Sequence, residues 1–160
     1  MPEPFYRSHL LCCRGTGCTA GGSESIFNTL LNEVRKQGLD SEAKVVMTGC
    51  HGLCEMGPIV VLYPEDMLYC RVKLDDAPEI VEETLLKGRP VERLLYKDPL
   101  TAEAVPHYHQ IPFYGKQKRL ILRNCGFINP ERIEEYIARD GYAALAKALT
   151  EMTQEEVIET

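Results

Sequence analysis

The chain has 160 residues, enough for one ordinary domain or for a small domain of about 90 to 100 residues followed by an appendage. Apolar residues make up 44% and charged residues 26%, a composition typical of soluble globular proteins, and no run reaches the roughly 18 apolar residues of a membrane span. The net charge of −6 is dispersed over 24 acidic and 18 basic residues. We therefore expect no nucleic-acid partner and no membrane insertion.

The sequence contains seven cysteines, and their redox compartment decides how they are interpreted. Residues 1–7 lack the basic, apolar and small-residue segments of a secretory signal, so we expect a cytoplasmic protein. In a reducing compartment a disulfide framework is disfavoured, and an odd number of cysteines cannot pair fully. Metal or redox chemistry is the leading interpretation.

The first part of the chain alternates between apolar runs and glycine-rich loops. A short apolar strand at 9–12 leads into a predicted loop at 13–22. Ser23 caps a helix that extends to Gln37, where Gly38 supplies the stop signal. A second strand at 44–48 again runs directly into a glycine-rich loop, at 49–58.

Two further apolar runs, 59–63 and 67–72, are predicted to form a hairpin that completes a four-stranded sheet. Asp76 and Glu79 form a capping box at the start of a second helix, which Gly88 ends. The order strand, helix, strand, strand, strand, helix predicts a small two-layer α/β (or α+β) domain over residues 1–90.

Residues 91–110 show little periodicity, and Pro99 and Pro106 interrupt them. They predict a linker, which could be a plain tether or a strap that packs across a neighbouring surface. His107 and His109 in this segment form no ligand cluster with acidic residues, so we expect both on the surface.

Residues 111–160 are predicted to form a second unit that ends in a short helical segment. A basic, strand-like stretch covers 118–123, and Asn129 caps the first of two helices. Thr153 and Glu156 then form a capping box too near the chain end for a full helix, from which we expect the polypeptide to continue beyond Thr160.

Four of the cysteines lie in the two glycine-rich loops. Four residues separate Cys13 from Cys18, and three separate Cys50 from Cys54. If the two preceding strands are parallel and joined by a right-handed helical crossover, both loops meet at one edge of the sheet. A 2Fe-2S cluster takes four thiolates, two on each iron, often as two close pairs. We therefore predict a 2Fe-2S cluster on these four residues, with glycine amides turned toward its negative charge.

Three other interpretations of these cysteines are weighed against the cluster. A structural zinc site also takes four thiolates, although its gaps are more commonly two residues long. A thioredoxin-type dithiol prefers Cys-x-x-Cys, which is absent. Buried structural cysteines are poorly placed in glycine-rich loops. The sequence favours iron-sulfur.

The remaining candidates near the site are Cys12 and His51. Cys12 competes with its neighbour Cys13, but side chains alternate across a strand, so we expect Cys12 in the core behind the site. His51 could ligate iron as in Rieske centres, yet four cysteines suffice, and we expect it to act as a hydrogen-bond donor beside the cluster. Cys70 and Cys125 are expected to be ordinary buried thiols.

The motifs Cys13-Arg14-Gly15-Thr16-Gly17-Cys18 and Cys50-His51-Gly52-Leu53-Cys54-Glu55-Met56-Gly57-Pro58 resemble the thioredoxin-like 2Fe-2S ferredoxin family. The resemblance implies a thioredoxin-like ferredoxin domain whose four cluster ligands carry over to Cys13, Cys18, Cys50 and Cys54. That family includes a small subunit of respiratory complex I. A version of the domain also begins the flavoprotein subunit of NAD(P)-linked, often electron-bifurcating, iron hydrogenases.

Residues 111–158 resemble the stretch that opens the flavin-binding core of that hydrogenase or NADH dehydrogenase flavoprotein. The resemblance implies a domain that transfers electrons beside other subunits of such a complex, and a homodimer is a second partner to consider. FMN, NAD(P) and a 4Fe-4S cluster are expected only in the full-length parent, so the fragment alone is expected not to be catalytic. The alternative is a cluster- or zinc-stabilised docking module with no direct role in electron flow.

Overall fold

The computed structural model describes residues 6–160, so most of the N-terminal segment used to argue against a secretory signal lies outside the described residues. A four-stranded sheet organises the first half of the chain. Its strands are β1 (Ser8–Cys13), β2 (Ala43–Thr48), β3 (Val60–Tyr63) and β4 (Met67–Tyr69), in the order β2-β1-β3-β4. β1 and β2 are parallel, whereas β3 is antiparallel to both β1 and β4. The predicted four-stranded sheet with its parallel first pair is confirmed.

The predicted loop at 13–22 contains a short helix, α1 (Thr16–Ala20), which corrects the prediction. The amide of Thr19 donates to the Gly15 carbonyl at 2.9 Å, and that of Gly21 donates to the Gly17 carbonyl at 3.0 Å. Glycine is a poor helix former, so this turn has no signal in the sequence. Burial of Cys18 on its inner side holds it in place.

The helix that crosses from β1 to β2 is α2 (Ser23–Lys36). Ile26, Leu30 and Val34 recur at intervals of four residues and are buried on one face of the sheet, as their spacing predicts. The second predicted helix begins as α3 (Ala77–Glu79) and continues as a π-helix (Ile80–Leu86) that packs beside α2. Together the two helical segments enclose the main hydrophobic core.

Residues 91–95 still pack on the main core, and residues 96–115 cover the opposite face of the sheet. A small hairpin of β5 (Tyr96–Lys97) and β6 (Ala104–Val105) lies here, and Leu95 forms an isolated bridge to Tyr69 of β4. A second core forms on this face, where side chains of the sheet meet Tyr96, Tyr108, Ile111 and Tyr114. The segment predicted as a linker therefore packs as a strap, whereas the division into 1–90, 91–110 and 111–160 stays a prediction.

The C-terminal part is helical, as predicted, but the strand-like stretch at 118–123 is wrong. The helices are α4 (Pro112–Gly115), α5 (Ile133–Ile137), α6 (Ala143–Glu151) and α7 (Gln154–Glu159). Residues 121–127 form turns, and within residues 6–160 the apolar run 120–122 pairs with no strand. The capping box of Thr153 and Glu156 is present and begins α7. Among residues 6–160, no helix is both long and apolar enough to cross a membrane.

Candidate metal centre

The four predicted cysteines come together at one edge of the sheet. Cys13 ends β1 and Cys18 lies in α1, while Cys50 follows β2 and Cys54 opens a 3-10 turn (Cys54–Met56). The thiol of Cys13 interacts with those of Cys18 and Cys50, and Cys50 in turn interacts with Cys54. The parallel pairing of β1 and β2 thus brings together side chains that are far apart in sequence.

Glycines leave the space in which the thiols lie. A Cβ atom at Gly15 would be 2.8 Å from Sγ of Cys50, and one at Gly57 would be 2.9 Å from Sγ of Cys18. Both glycines have ordinary backbone angles, with φ of −64° and −71°. Their requirement for glycine is therefore one of space beside sulfur, not of backbone conformation.

Backbone amides point at two of the sulfur atoms. The amide of Gly15 donates to Sγ of Cys13 at 3.5 Å, and that of Gly52 donates to Sγ of Cys50 at 3.3 Å. The amide of His51 also faces the Cys13 thiol and lowers its pKa. Such donors favour thiolates, which are the form that binds metal, and they tune the potential of a bound cluster.

The pKa values of Cys13 and Cys18, the first cysteine pair, are shifted in opposite directions. Hydrogen bonding to the Cys18 thiol lowers the pKa of Cys13, and the amides of His51 and Gly15 act in the same direction against the opposing effect of burial. The same interaction raises the pKa of Cys18. Burial raises the pKa of Cys50.

The two pairs differ in depth. Cys13 and Cys18 are buried, whereas Cys50 and Cys54 are exposed. A group held by all four would thus have one side in the protein interior and the other at the surface.

The remaining three cysteines lie in the two cores or beside the second ligand loop. Cys12 lies in the core on the α2 face, as predicted, while Cys13 belongs to the core on the other face. Burial raises the pKa of Cys12 and of Cys70 to about 12 each, which keeps both as neutral thiols. Cys125 is only half-buried, and its Sγ would lie 3.6 Å from a Cβ at Gly49. No sequence pattern indicates that Cys125 lies beside the second ligand loop.

His51 is almost completely buried, at 2% exposure. Among the described residues neither ring nitrogen has a hydrogen-bond partner, and burial lowers the pKa of the imidazole to about 4. The predicted donation toward the site comes from the backbone amide of His51, not from its ring. His109 is exposed and His107 is half-exposed, in agreement with a surface position.

Two pairs of thiols, the space left by glycines and the inward amides fit a 2Fe-2S cluster, in which each iron takes two cysteines. Across residues 6–160, no group of three or more His, Cys, Asp or Glu side chains is arranged to hold a single metal ion. The fold and this group of thiols define an iron-sulfur protein of the ferredoxin type.

Comparison with known proteins gives the family. Residues 2–85 match the model of the thioredoxin-like [2Fe-2S] ferredoxins. A 2Fe-2S ferredoxin of Clostridium pasteurianum is 44% identical over 77 residues, which are 48% of this chain and 76% of that protein. The chain belongs to the thioredoxin-like [2Fe-2S] ferredoxin family, and its cofactor is a 2Fe-2S cluster.

Two further comparisons describe how far the similarity extends. The crystal structure of the wild-type thioredoxin-like [2Fe-2S] ferredoxin from Aquifex aeolicus superposes with a TM-score of 0.53 at 32% identity, covering 59% of this chain and all of that one. The NADP-reducing hydrogenase subunit HndC of Solidesulfovibrio fructosivorans is 59% identical over 44 residues, which are 28% of this chain and 9% of HndC.

Proposed function

We propose that Cys13, Cys18, Cys50 and Cys54 hold the 2Fe-2S cluster and that the chain passes single electrons through it. The observation that carries the proposal is the convergence of these four thiols beside Gly15 and Gly57, at the edge where two parallel strands end. A bound 2Fe-2S cluster supplies one-electron redox chemistry. The protein contributes the buried pair, the amide donors and an exposed edge through which a partner can approach.

We further propose that the chain acts as the N-terminal domain of the flavoprotein subunit of an NAD(P)-linked hydrogenase or NADH dehydrogenase. The similarity to HndC supports this, as does the sequence of residues 111–158. Its partners would then be other subunits of the complex. FMN, NAD(P) and a 4Fe-4S cluster would be bound by the full-length parent, so the 160-residue chain alone should not oxidise NADH.

Metal and sulfide analysis tests the ligand assignment. The chain purified without oxygen should contain about two irons and two labile sulfides, and reduction by dithionite should give a spin-half EPR signal. Replacing Cys54 by serine should remove or strongly perturb the signal, whereas replacing Cys70, a buried neutral thiol of the second core, should leave it intact. Zinc without sulfide in the purified chain would refute the proposal.

A docking module, stabilised by a cluster or by zinc, is a second candidate. The observation that favours it is the apolar surface of the C-terminal part, where Leu120, Ile121 and Ile158 are exposed by 70%, 97% and 84%. The Cys54→Ser variant separates the two candidates in the assembled complex. Unchanged electron transfer without the cluster would support docking, whereas loss of electron transfer in a complex that still assembles would support the relay.

A further inference from the structure

Residues 119–128, which we call the clasp, lie against the second ligand loop although they are outside the part of the chain that matches the ferredoxin family. A Cβ at Gly49 would be 3.6 Å from Sγ of Cys125 and 3.7 Å from the amide nitrogen of Gly126. The backbone of the clasp therefore packs directly on the loop that carries Cys50.

The contact is closest at Gly126. This residue has a φ of +89°, and a Cβ added there would be 2.7 Å from both Cε1 and Nδ1 of the His51 ring. On another side the ring meets Tyr108 edge to face, with 6.1 Å between centroids. His51 is thus wedged between the clasp and the strap, and only glycine fits at the point of contact.

Arg119 and Thr48 fix the two ends of the clasp. The Arg119 guanidinium donates to the Cys125 carbonyl at 3.2 Å and to the Tyr108 hydroxyl at 3.0 Å. At the other end, the buried hydroxyl of Thr48 donates to the Ile128 carbonyl at 2.8 Å. The clasp is thus tied at one end to the Tyr108 side chain of the strap and at the other to the Thr48 side chain of β2, next to the loop that follows that strand.

His51 connects the clasp to the thiols. It is adjacent to Cys50 in sequence, and its amide faces the thiol of Cys13. The Cys50–His51 peptide bond joins the ring to the Cys50 thiol, and its N–H faces the Cys13 thiol. A displacement of the His51 ring would therefore shift both the Cys50 thiol and this N–H. Donors and neighbours of this kind orient metal ligands and tune the metal, although they do not bind it themselves.

We propose that the clasp is part of the cluster site, and that His51 and Gly126 are positioning residues that fix the Cys50 thiol and the amide directed at Cys13. The inference rests on the proposed ligand set. Its consequence is that residues beyond the ferredoxin domain set the reduction potential of the cluster and its resistance to iron loss.

Substitution of Gly126 by alanine tests the contact, with Gly88→Ala as the matched control. Both glycines have positive φ, of +89° and +66°, but a Cβ at Gly88 meets nothing within 4 Å. Gly126→Ala should shift the reduction potential and the EPR g values of the 160-residue chain and speed iron loss to a chelator about tenfold. Gly88→Ala should leave all three as in the wild type. Equal behaviour of the two variants would overturn the proposal.

A double-variant cycle identifies the partner of Gly126. If the added methyl group acts by pressing on the imidazole, His51→Ala should abolish the effect, and the double variant should behave as His51→Ala does alone. Additive effects of the two changes would overturn the assignment of His51.

A second variant covers the case in which Gly126→Ala does not fold. Arg119→Met removes the hydrogen bond that ties the clasp to Tyr108, together with the bond inside the clasp to the Cys125 carbonyl, and should shift the potential in the same direction, whereas Arg123→Met, on the exposed side of the segment, should not. Loss of folding in both clasp variants, with both controls folded, would assign the clasp to stability alone and overturn the proposal.

Failure of the clasp proposal can be distinguished from failure of the proposed function. A wild-type chain without iron and sulfide would refute the proposed function itself. A wild-type chain that contains the cluster, with clasp variants that behave like it, would refute only the clasp proposal.

Discussion

Cys12 and Cys13 are adjacent in sequence, yet they lie in the two different cores of the sheet. The sequence predicts this difference, because side chains alternate along a strand and only one of two neighbours can face the loop edge. It could not predict how the thiols interact, since the pKa of Cys13 is lowered by Cys18 and by amides that only the folded loops bring within reach.

Replacing Cys13 and Cys12 by alanine, one at a time, should distinguish a cluster ligand from a core residue. Cys13→Ala should lose the cluster, whereas Cys12→Ala should keep its iron and its EPR signal and lose about 1 kcal/mol of stability through the cavity left in the core. Iron analysis and urea unfolding of the two variants would measure this. A Cys12→Ala protein without iron would contradict the assignment.

Gly15 and Gly17 allow a purely steric test, because they are two residues apart at the same end of α1. A Cβ at Gly15 would be 2.8 Å from Sγ of Cys50, whereas one at Gly17 would be at 3.4 Å or more from Cys54, an ordinary contact. Gly15→Ala should therefore reduce cluster occupancy, while Gly17→Ala should retain it and could gain up to about 1 kcal/mol from the better helix former. Absorbance of the cluster per chain is the measurement, and equal occupancy in both would contradict the argument.

Among single helices and strands, hydrophobic periodicity predicts those that bury a regular row of apolar side chains. It does not predict the type or length of those that depend on contacts with distant parts of the chain. α2 shows its buried face in the spacing of Ile26, Leu30 and Val34. The π-helix at Ile80–Leu86 does not differ in sequence pattern from an α-helix, because both bury the same apolar side chains. β4 ends at Tyr69, shorter than its apolar run to Val72 predicts.

Tyr69 connects β4 to the π-helix and to the start of the strap. Its hydroxyl is 2.7 Å from that of Thr84 and accepts from the Val91 amide at 3.0 Å, and the side chain is fully buried. Tyr69→Phe would leave two buried polar groups without a partner, so we expect a loss of about 1 to 3 kcal/mol in the free energy of unfolding. Tyr63→Phe, at a half-exposed position, is the control and should be neutral. A neutral Tyr69→Phe would show that other groups satisfy Thr84 and Val91.

Across the whole molecule, the sequence predicts the sheet, its covering helices and the edge where the cysteines meet. The sequence does not predict how the strap and the clasp pack, because their contacts depend on single side chains at irregular spacing, such as Tyr108 and Arg119. A segment interrupted by prolines has the same sequence pattern whether it is an exposed linker or packs on the face of a sheet. Only the second core, which needs a cover for its apolar side chains, distinguishes the two.

The buried acids of this second core make the molecule sensitive to alkali. Burial raises the pKa of Cys70 to about 12 from its ordinary value of 9.0, and it also raises the pKa of Tyr108. A pKa raised by folding contributes stability that is present below the unfolded pKa and is lost as pH rises toward the folded one. The free energy of unfolding should therefore fall above about pH 9, and the fall should be shallower in Cys70→Ala. Urea titrations at a series of pH values would measure both slopes, and a flat profile would contradict the prediction.

The position of the clasp along the chain has a consequence for biosynthesis. All four thiols lie between residues 13 and 54, whereas the clasp begins more than 60 residues later. Because a ribosome makes the chain from its N-terminus and domains fold as they emerge, the complete set of thiols is available before the segment that packs against it exists. On the proposed ligand set, iron and sulfide can therefore enter before translation of the clasp covers that side of the site.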